Sequence, residues 1–393
     1  MKTLGVYIHI PYCLSKCPYC DFYSVTDSRS QDRYLNALLL HMEDYSAHAT
    51  GYDVDTVFIG GGTPSLLSPA KISKLLNGVT DNFSLRHDAE ITIEMNPATL
   101  KRSALRSLRS AGVNRLSIGL QSVNDNELRA LGRAHTFSQF EECFSDARRS
   151  GFDNVNIDLM YGIPGQTHTS LAHSLDTVIG LDPEHISLYG LKIEENTPFF
   201  ERKNELDLPD EDTEADMYMR SIERLTKNGY NQYEISNFSK PGRACLHNLK
   251  YWNCEEYLGF GASAHSFFRN HRFAAVRDIA TYVEAMEYPS HDVRLISEDY
   301  EIRPQERLGE YVMLRLRLKE GVDTDAFAER FGLSFERMFG KYLKVYVAGG
   351  FMEKNGRFYR FTPRGMYVSN YILSAMLDFK SELIDGVADG TDR

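Results

Sequence analysis

The sequence predicts an α/β fold: a partial (β/α)6 TIM-like barrel followed by a small, mainly helical, winged-helix-like C-terminal domain. Three observations carry this. Six short β-type runs alternate with helical segments through the first half of the chain, the pattern of repeated βα units winding a parallel sheet. The polar residues of those runs gather toward their C-terminal ends, where barrels of this kind place reactive groups. Beyond about Pro304 a second unit begins, with helices, a hairpin and a closing helix.

The six expected strands are Gly5–Tyr12, Thr56–Gly61, Glu90–Pro97, Arg115–Ser122, Asn154–Gly162 and His185–Lys192. Helical character lies between them, over Gln31–Ala47, Pro69–Val79, Leu100–Ala111, Phe137–Ser150 and Thr213–Lys227. Right-handed crossovers then close the strands into part of a barrel. From about Asp207 the regularity fades, and Phe238–Phe268, rich in Gly, Asn, aromatics and His, reads as a long ordered loop. Helices over Gln305–Leu316, Asp323–Phe331 and Phe335–Ala348 follow. A hairpin turning at Asn355-Gly356 and a helix near Gly365–Leu377 complete the second unit. The expected divisions are 1–237 for the barrel, 238–300 for an irregular connecting region, 301–380 for the C-terminal domain and 381–393 for a frayed tail.

At 393 residues the chain has room for two or three compact units, and 42% hydrophobic with 25% charged residues is an ordinary globular composition. A net charge of −11 argues against binding nucleic acid by phosphate neutralisation. No apolar run is long enough to span a bilayer, and MKTLGVYIHIPYC lacks the apolar core and cleavage site of a signal peptide. A cytoplasmic location without a transmembrane segment is the expectation, with peripheral membrane contact left open.

Three of the six cysteines, Cys13, Cys17 and Cys20, fall within eight residues just after the first strand. A secreted disulfide framework would spread its cysteines, so this cluster reads as metal ligation. Three thiolates can hold three corners of a 4Fe–4S cube and leave one iron open to a small molecule. Zinc with His9 as a fourth ligand, and unligated core thiols, are the competing readings. Elsewhere Gly61, Gly62 and Thr63 end the second strand, and Glu94, Gln121 and Asp158 interrupt otherwise apolar strands, where a buried polar group needs a partner or a function. Arg133 could be a solvated helical residue, and Asp158 a turn cap.

The strings YIHIPYCLSKCPYC, FIGGGTPS and ITIEMNP together resemble the radical-SAM superfamily, and most closely its coproporphyrinogen oxidase branch, over most of the chain. The resemblance implies a 4Fe–4S cluster on Cys13, Cys17 and Cys20 that binds S-adenosylmethionine (SAM) at its open iron. It implies that Gly61, Gly62 and Thr63 bring main chain to the methionyl amine. Glu94, Gln121, Arg133 and Asp158 would contact the rest of SAM, with Tyr7 and Tyr19 beside them. Reductive cleavage of SAM requires a cluster potential at the low end of the biological range, so a low-potential electron donor is implied as a partner.

One position departs from the oxidases of that branch. They carry a further cysteine two residues after the third, and here that residue is Phe22. Downstream, His247-Asn248-Leu249-Lys250-Tyr251-Trp252 and the string GFGASAHS resemble the haem-chaperone subfamily of the same branch. Histidine is the commonest axial haem ligand and aromatic rings pack on porphyrin faces, so His247 with Tyr251 and Trp252 makes chemical sense as a haem site. Cys245 is a rival ligand, and a His-Asn pair in a loop can also merely satisfy backbone groups. The resemblance implies a protein that binds haem and passes it to acceptor haemoproteins. An oxygen-independent coproporphyrinogen III oxidase is the alternative.

Overall fold

The computed structural model describes residues 2–378 except 98 and 292. Its centre is a run of six parallel strands, β1 (Lys2–Ile10), β2 (Tyr52–Gly61), β3 (Ser84–Met95), β4 (Arg115–Gln121), β5 (Val155–Tyr161) and β6 (His185–Gly190), hydrogen-bonded in chain order. Their central stretches are largely apolar and buried because both faces are covered there, while β3 begins with a polar, mostly exposed stretch of sequence, SLRHD. Helices α1 (Gln31–Ser46), α2 (Pro69–Asn82), α3 (Arg102–Ser110), α4 (Asp125–Ala130), α5 (Phe137–Arg149), α6 (His168–Gly180), α7 (Pro198–Glu201) and α8 (Glu211–Lys227) follow in the intervening connections and after β6. Several start where local chemistry dictates. Ser68 caps α2 through the Lys71 amide with Pro69 in the first turn, and Thr136 and Gln139 form a reciprocal capping box at α5.

The barrel is open, as expected. The free edge of β6 is taken by β8 (Asn237–Ser239), which runs antiparallel and is bordered by β7 (Asn231–Gln232). On the other side β1 pairs in parallel with β9 (Tyr257–Phe260), whose far edge carries β10 (His265–Phe268), β11 (His271–Ala275) and β12 (Ile296–Glu301), so twelve strands form one sheet. Phe238–Phe268 is therefore not an irregular loop. It holds the helix α9 (Leu246–Trp252) and two sheet strands, and the sheet runs across the expected boundary at residue 237. These elements are four to seven residues long, too short for a periodic signal, and they are fixed by tertiary pairing. The helix α10 (Ile279–Glu287) packs on α1, where the His41 Nδ1 and Tyr282 hydroxyl lie 3.0 Å apart.

Beyond residue 301 come α11 (Pro304–Arg317), α12 (Thr324–Phe331) and α13 (Phe335–Ala348), with a three-stranded antiparallel sheet of β13 (Val322–Asp323), β15 (Phe358–Phe361) and β14 (Met352–Asn355). The closing α14 (Pro363–Tyr367) and α15 (Ser369–Leu377) complete a helix-and-wing unit around Phe327, Phe335 and Tyr359. The expected tail at 381–393 lies outside the described residues.

The start of α9 is anchored by one buried carboxylate. Glu90, near the middle of β3, accepts from the Leu246 and His247 amides, each at 3.1 Å, and from the Cys245 thiol at 3.5 Å. A negative charge at a helix N-terminus is favourable, and here it satisfies donors that have no water to turn to. Glu90→Ala should lower stability by about 3 kcal/mol, the cost of several buried donors left unpaired. Thermal unfolding checks the loss, and thiol titration of the native protein should find Cys245 newly reactive.

Candidate functional site

Parallel pairing sets the site. Ile8 lies opposite Ile59, His9 opposite Gly60 and Ile10 opposite Gly61, so β1 and β2 end level with each other. The loop carrying Cys13, Cys17 and Cys20 and the glycine turn therefore leave the sheet side by side. Two hydrogen bonds tie them: the Gly62 amide donates to the Ile10 carbonyl and the Thr63 amide to the Tyr12 carbonyl, both at 2.8 Å. Gly61 has φ +113, and a Cβ there would sit 2.6 Å from the His9 ring; a Cβ on Gly62 would meet the Tyr12 carbonyl oxygen at 2.8 Å and the Cys13 sulfur at 3.1 Å. Glycine is what allows this approach.

The three thiols are half-buried and none is in a disulfide. Cys13 accepts from the Thr63 hydroxyl at 3.6 Å and Cys17 from the Arg133 guanidinium at 3.7 Å. Burial pushes the Cys20 thiol up, with further upward pushes from Cys17 and Cys13. Among the described residues no three His, Cys, Asp or Glu side chains are already grouped at metal-ligating separation. The fit of a cluster rests on the donor set: three soft sulfur donors on one loop, with the Arg133 guanidinium and the Thr63 hydroxyl donating hydrogen bonds to two of the sulfurs, as thiolate ligands need. His9 is not a free fourth ligand. Its Nδ1 meets the Tyr7 hydroxyl at 3.0 Å, its Nε2 meets the Tyr23 carbonyl at 2.9 Å, and burial lowers its pKa to about 4.

Arg133 is not on a helix and is not solvated. It follows α4 in a turn, where Nη2 donates to the Asn96 side-chain oxygen at 2.5 Å and to the Gly119 carbonyl at 2.9 Å, and it also hydrogen-bonds Tyr19. Its Nε is buried without a hydrogen-bond partner, which leaves one donor uncommitted. Asn96, which sequence reasoning missed, is the hub: its Nδ2 donates to the Thr63 hydroxyl at 3.0 Å while its oxygen holds Arg133. The signal was present as the polar residue closing ITIEMNP. Cys17, Thr63, Asn96 and Arg133 line one cavity of 140 Å³. Gln121 ends β4 at φ +73, where a non-glycine residue pays strain, and the β4–β5 register slips there.

Inside the barrel Glu94 accepts from the Gly61 amide at 3.0 Å. Burial, and then the negative charge of Asp158, push its pKa up to about 7. Asp158 caps no turn. It sits within β5 and accepts from Asn156 at 2.7 Å and Ser117 at 3.3 Å, and burial raises its pKa as well. The structure thus gathers Tyr19, Thr63, Arg133 and the cysteine loop at one rim, and Glu94 and Asp158 beneath the glycine turn.

The HNxxYW string is placed otherwise. His247 is 1% exposed. Its Nδ1 meets the Thr56 hydroxyl and its Nε2 the Tyr251 hydroxyl, each at 2.9 Å, and its ring stacks on Phe58. Burial lowers its pKa to about 3, so it is neutral with its one lone pair already engaged. Cys245 is fully buried, with burial pushing its thiol up to about 12, which is wrong for a thiolate ligand. Trp252 is half-buried; Tyr251 reaches a second cavity of 360 Å³ that Tyr7 and His9 also line.

A family model for the radical SAM superfamily matches residues 7–178, and one for the HemN C-terminal domain matches 302–368. Fold and site thus define a radical SAM barrel with a HemN-type C-terminal unit. Its structure resembles the Escherichia coli coproporphyrinogen III oxidase HemN, described as a radical SAM enzyme, at TM-score 0.84 and 25% identity over 96% of this chain and 91% of that one. Relatives titled "Heme chaperone HemW" are 37% identical in Bacillus subtilis, over 95% of this chain and 99% of the relative, and 36% identical in Escherichia coli, over 96% and 99%. The chain belongs to the HemW family of radical SAM proteins. Its cofactors are accordingly a 4Fe–4S cluster and SAM.

Two outcomes check the site. Asn96→Ala, which frees both Thr63 and Arg133, should weaken SAM binding about tenfold, roughly 1.4 kcal/mol, with cluster iron unchanged; equilibrium dialysis of the reconstituted protein measures it. Glu94 holds its proton in the folded chain up to about pH 7 but releases it near its ordinary value of 4.5 when unfolded. Folding therefore takes up a proton between these values, and its contribution to stability falls as pH rises through that window. Urea unfolding at pH 5 and 7.5 should show a decline in wild type that Glu94→Gln reduces.

Proposed function

We propose that the protein is a haem chaperone: it holds a 4Fe–4S cluster and SAM in the barrel, binds haem, and delivers it to acceptor haemoproteins. The observation that carries this is near-full-length similarity to relatives titled haem chaperones, in a chain whose cluster loop has Phe22 where the branch's oxidases have a fourth cysteine. The Phe22 ring is 71% exposed and cannot replace a thiolate.

The chain's own residues have definable parts. Cys13, Cys17 and Cys20 hold the cluster; Gly61 to Thr63 present main chain to the methionyl end; Glu94 and Gln121 meet polar groups of the bound molecule; and Arg133, fixed by Asn96, steadies both Cys17 and the rim. When bound, cluster and SAM supply reductive sulfonium cleavage, for which a low-potential donor would be the external partner.

Anaerobically reconstituted protein tests the reading. It should take up haem, pass it to an apo-haemoprotein, and leave coproporphyrinogen III unconverted. Cys13→Ala, Cys17→Ala or Cys20→Ala should abolish cluster iron and sulfide, and Cys254→Ala should not. Repeated turnover of coproporphyrinogen to protoporphyrinogen would replace this reading with the oxidase one.

A further inference from the structure

An electron that reduces the cluster has to come from outside the chain, and electrons cross protein quickly only over short distances, so a donor must dock close to Cys13, Cys17 and Cys20. Three segments make the surface beside these cysteines. The loop 13–18 presents Leu14, an apolar side chain 73% exposed although it sits between two cluster cysteines, and next to it exposed Ser15 and Lys16. The connection from β3 to α3 presents Thr99 and Lys101, and the turn after α4 presents Gly132. Leu14, Thr99 and Gly132 line the same 140 Å³ cavity as Cys17, and Pro18 packs on Gly132 so closely that a Cβ there would lie 2.7 Å from the proline ring. The three segments are thus one continuous surface.

Its charge is opposite to that of the molecule. Between Pro97 and Arg115 the chain carries Lys101, Arg102, Arg106, Arg109 and Arg115 and no acidic residue, while the whole protein has a net charge of −11. Arg115 is buried in the barrel, but the other four lie at the start of α3 and along it. Arg102, Arg106 and Arg109 follow one another at i, i+4 and i+7, a spacing that puts like charges side by side and costs an isolated helix stability. Lys101 and Arg106 are exposed and form no ion pair among the described residues, whereas elsewhere surface cations are matched, as Arg33 is to Glu287, Arg86 to Asp88 and Arg303 to Glu306. On the adjoining α4, Arg129 is exposed, Glu127 is buried, and Asp125 accepts from the Phe137 amide at 2.8 Å.

We propose that this surface is the electron-entry face of the protein and that its partner is a small, acidic, low-potential electron-carrier protein. Leu14 is the apolar centre of the contact, and Lys16, Lys101, Arg106 and Arg129 are its basic rim. The proposal rests on the external-donor part of the haem-chaperone reading and deepens it. An exposed apolar spot ringed by one sign of charge is the anatomy of a transient interface, and electron-transfer encounters are small, below about 1,200 Å². The local positive field also answers a difficulty: an acidic carrier is repelled by a chain at −11 unless a basic patch steers it to the right face. The step itself moves one electron from the carrier's reduced centre, which is oxidised, to the cluster, which is reduced, and no bond is made or broken.

Stopped-flow reduction of the anaerobically reconstituted full-length protein by a reduced, acidic plant-type 2Fe–2S ferredoxin tests this, with dithionite as a small reductant that needs no docking. At low ionic strength Lys101→Glu/Arg106→Glu should lower the second-order rate about tenfold or more, and the difference from wild type should shrink as salt is added. Dithionite should reduce this variant and wild type at one rate. Lys341→Glu/Lys344→Glu on α13 changes the net charge by the same amount away from the cluster loop and should leave the ferredoxin rate within about twofold of wild type. Leu14→Ala should slow ferredoxin, and not dithionite, a few-fold at high salt as well as low. A wild-type ferredoxin rate in Lys101→Glu/Arg106→Glu, or an equal loss in Lys341→Glu/Lys344→Glu, would overturn the assignment. So would loss of binding to phosphatidylserine vesicles in Lys101→Glu/Arg106→Glu with its ferredoxin rate intact, which would make the stripe a membrane contact. Wild-type protein that dithionite reduces and ferredoxin does not would reject the docking face and leave the chaperone reading standing; protein that takes up no haem would reject the chaperone reading while the ferredoxin rates still judged the face.

Discussion

The level ending of β1 and β2 is the constraint from which the site follows. Side chains alternate along a strand, so a shift of one residue would send His9 and Gly61 to the wrong faces and part the cysteine loop from the glycine turn. The register is locked where they leave the sheet, by the Gly62 and Thr63 amides binding the Ile10 and Tyr12 carbonyls. Both amides are thereby spent on the fold. What the turn retains for a bound amine is carbonyl oxygen, and the Gly61 amide is held by Glu94. Glu94 is thus at once a buried acid and the clamp that orients the turn, so its own charge and the geometry of the glycines are coupled.

Polar groups inside the barrel are arranged in bonded tiers. Ser117, Asn156, Asp158, Ser187 and His185 form one connected network: Asn156 donates to Ser117 at 2.8 Å and to Asp158 at 2.7 Å, and His185 bridges from Asn156 to the Tyr233 hydroxyl. Arg115 lies buried among these acids, and its charge offsets those of Glu90 and Asp158. A charge taken out of water on this scale is tolerable only when partnered, which explains why charged residues sit in strands that otherwise read as core.

Much of this was legible in the sequence. The six parallel strands, the principal barrel helices and the C-terminal hairpin followed from periodicity and capping residues, because each element is long enough to show its period or carries its own start signal. Cys13, Cys17 and Cys20 were legible from spacing. Asn96 was not, since a single amide after a strand has no pattern; its importance appears only when Thr63 and Arg133 converge on it from separate elements. Nor were α9 and β9 to β12, whose short runs owe their conformation to partners distant in sequence: Gly5 to Ile8 for β9, and the Glu90 carboxylate for α9.

The HNxxYW string shows most sharply where sequence reading stops. Its residue types suit a haem site, but residue type does not say whether a lone pair is available. In the fold His247 fills the space between Thr56, Phe58 and Tyr251, and Lys250, 3% exposed, is held by Asp55 at 2.8 Å and Glu255 at 3.1 Å. The inward-facing groups of His247 and Lys250 are thus committed to holding α9 against β2 and to contacts within and just after the helix. From there the contacts lead outward: Phe58 stacks on Tyr7, and Tyr251 packs edge-on against Tyr257 at 4.5 Å, and both tyrosines reached this way line the larger cavity. The string therefore shapes that cavity from behind.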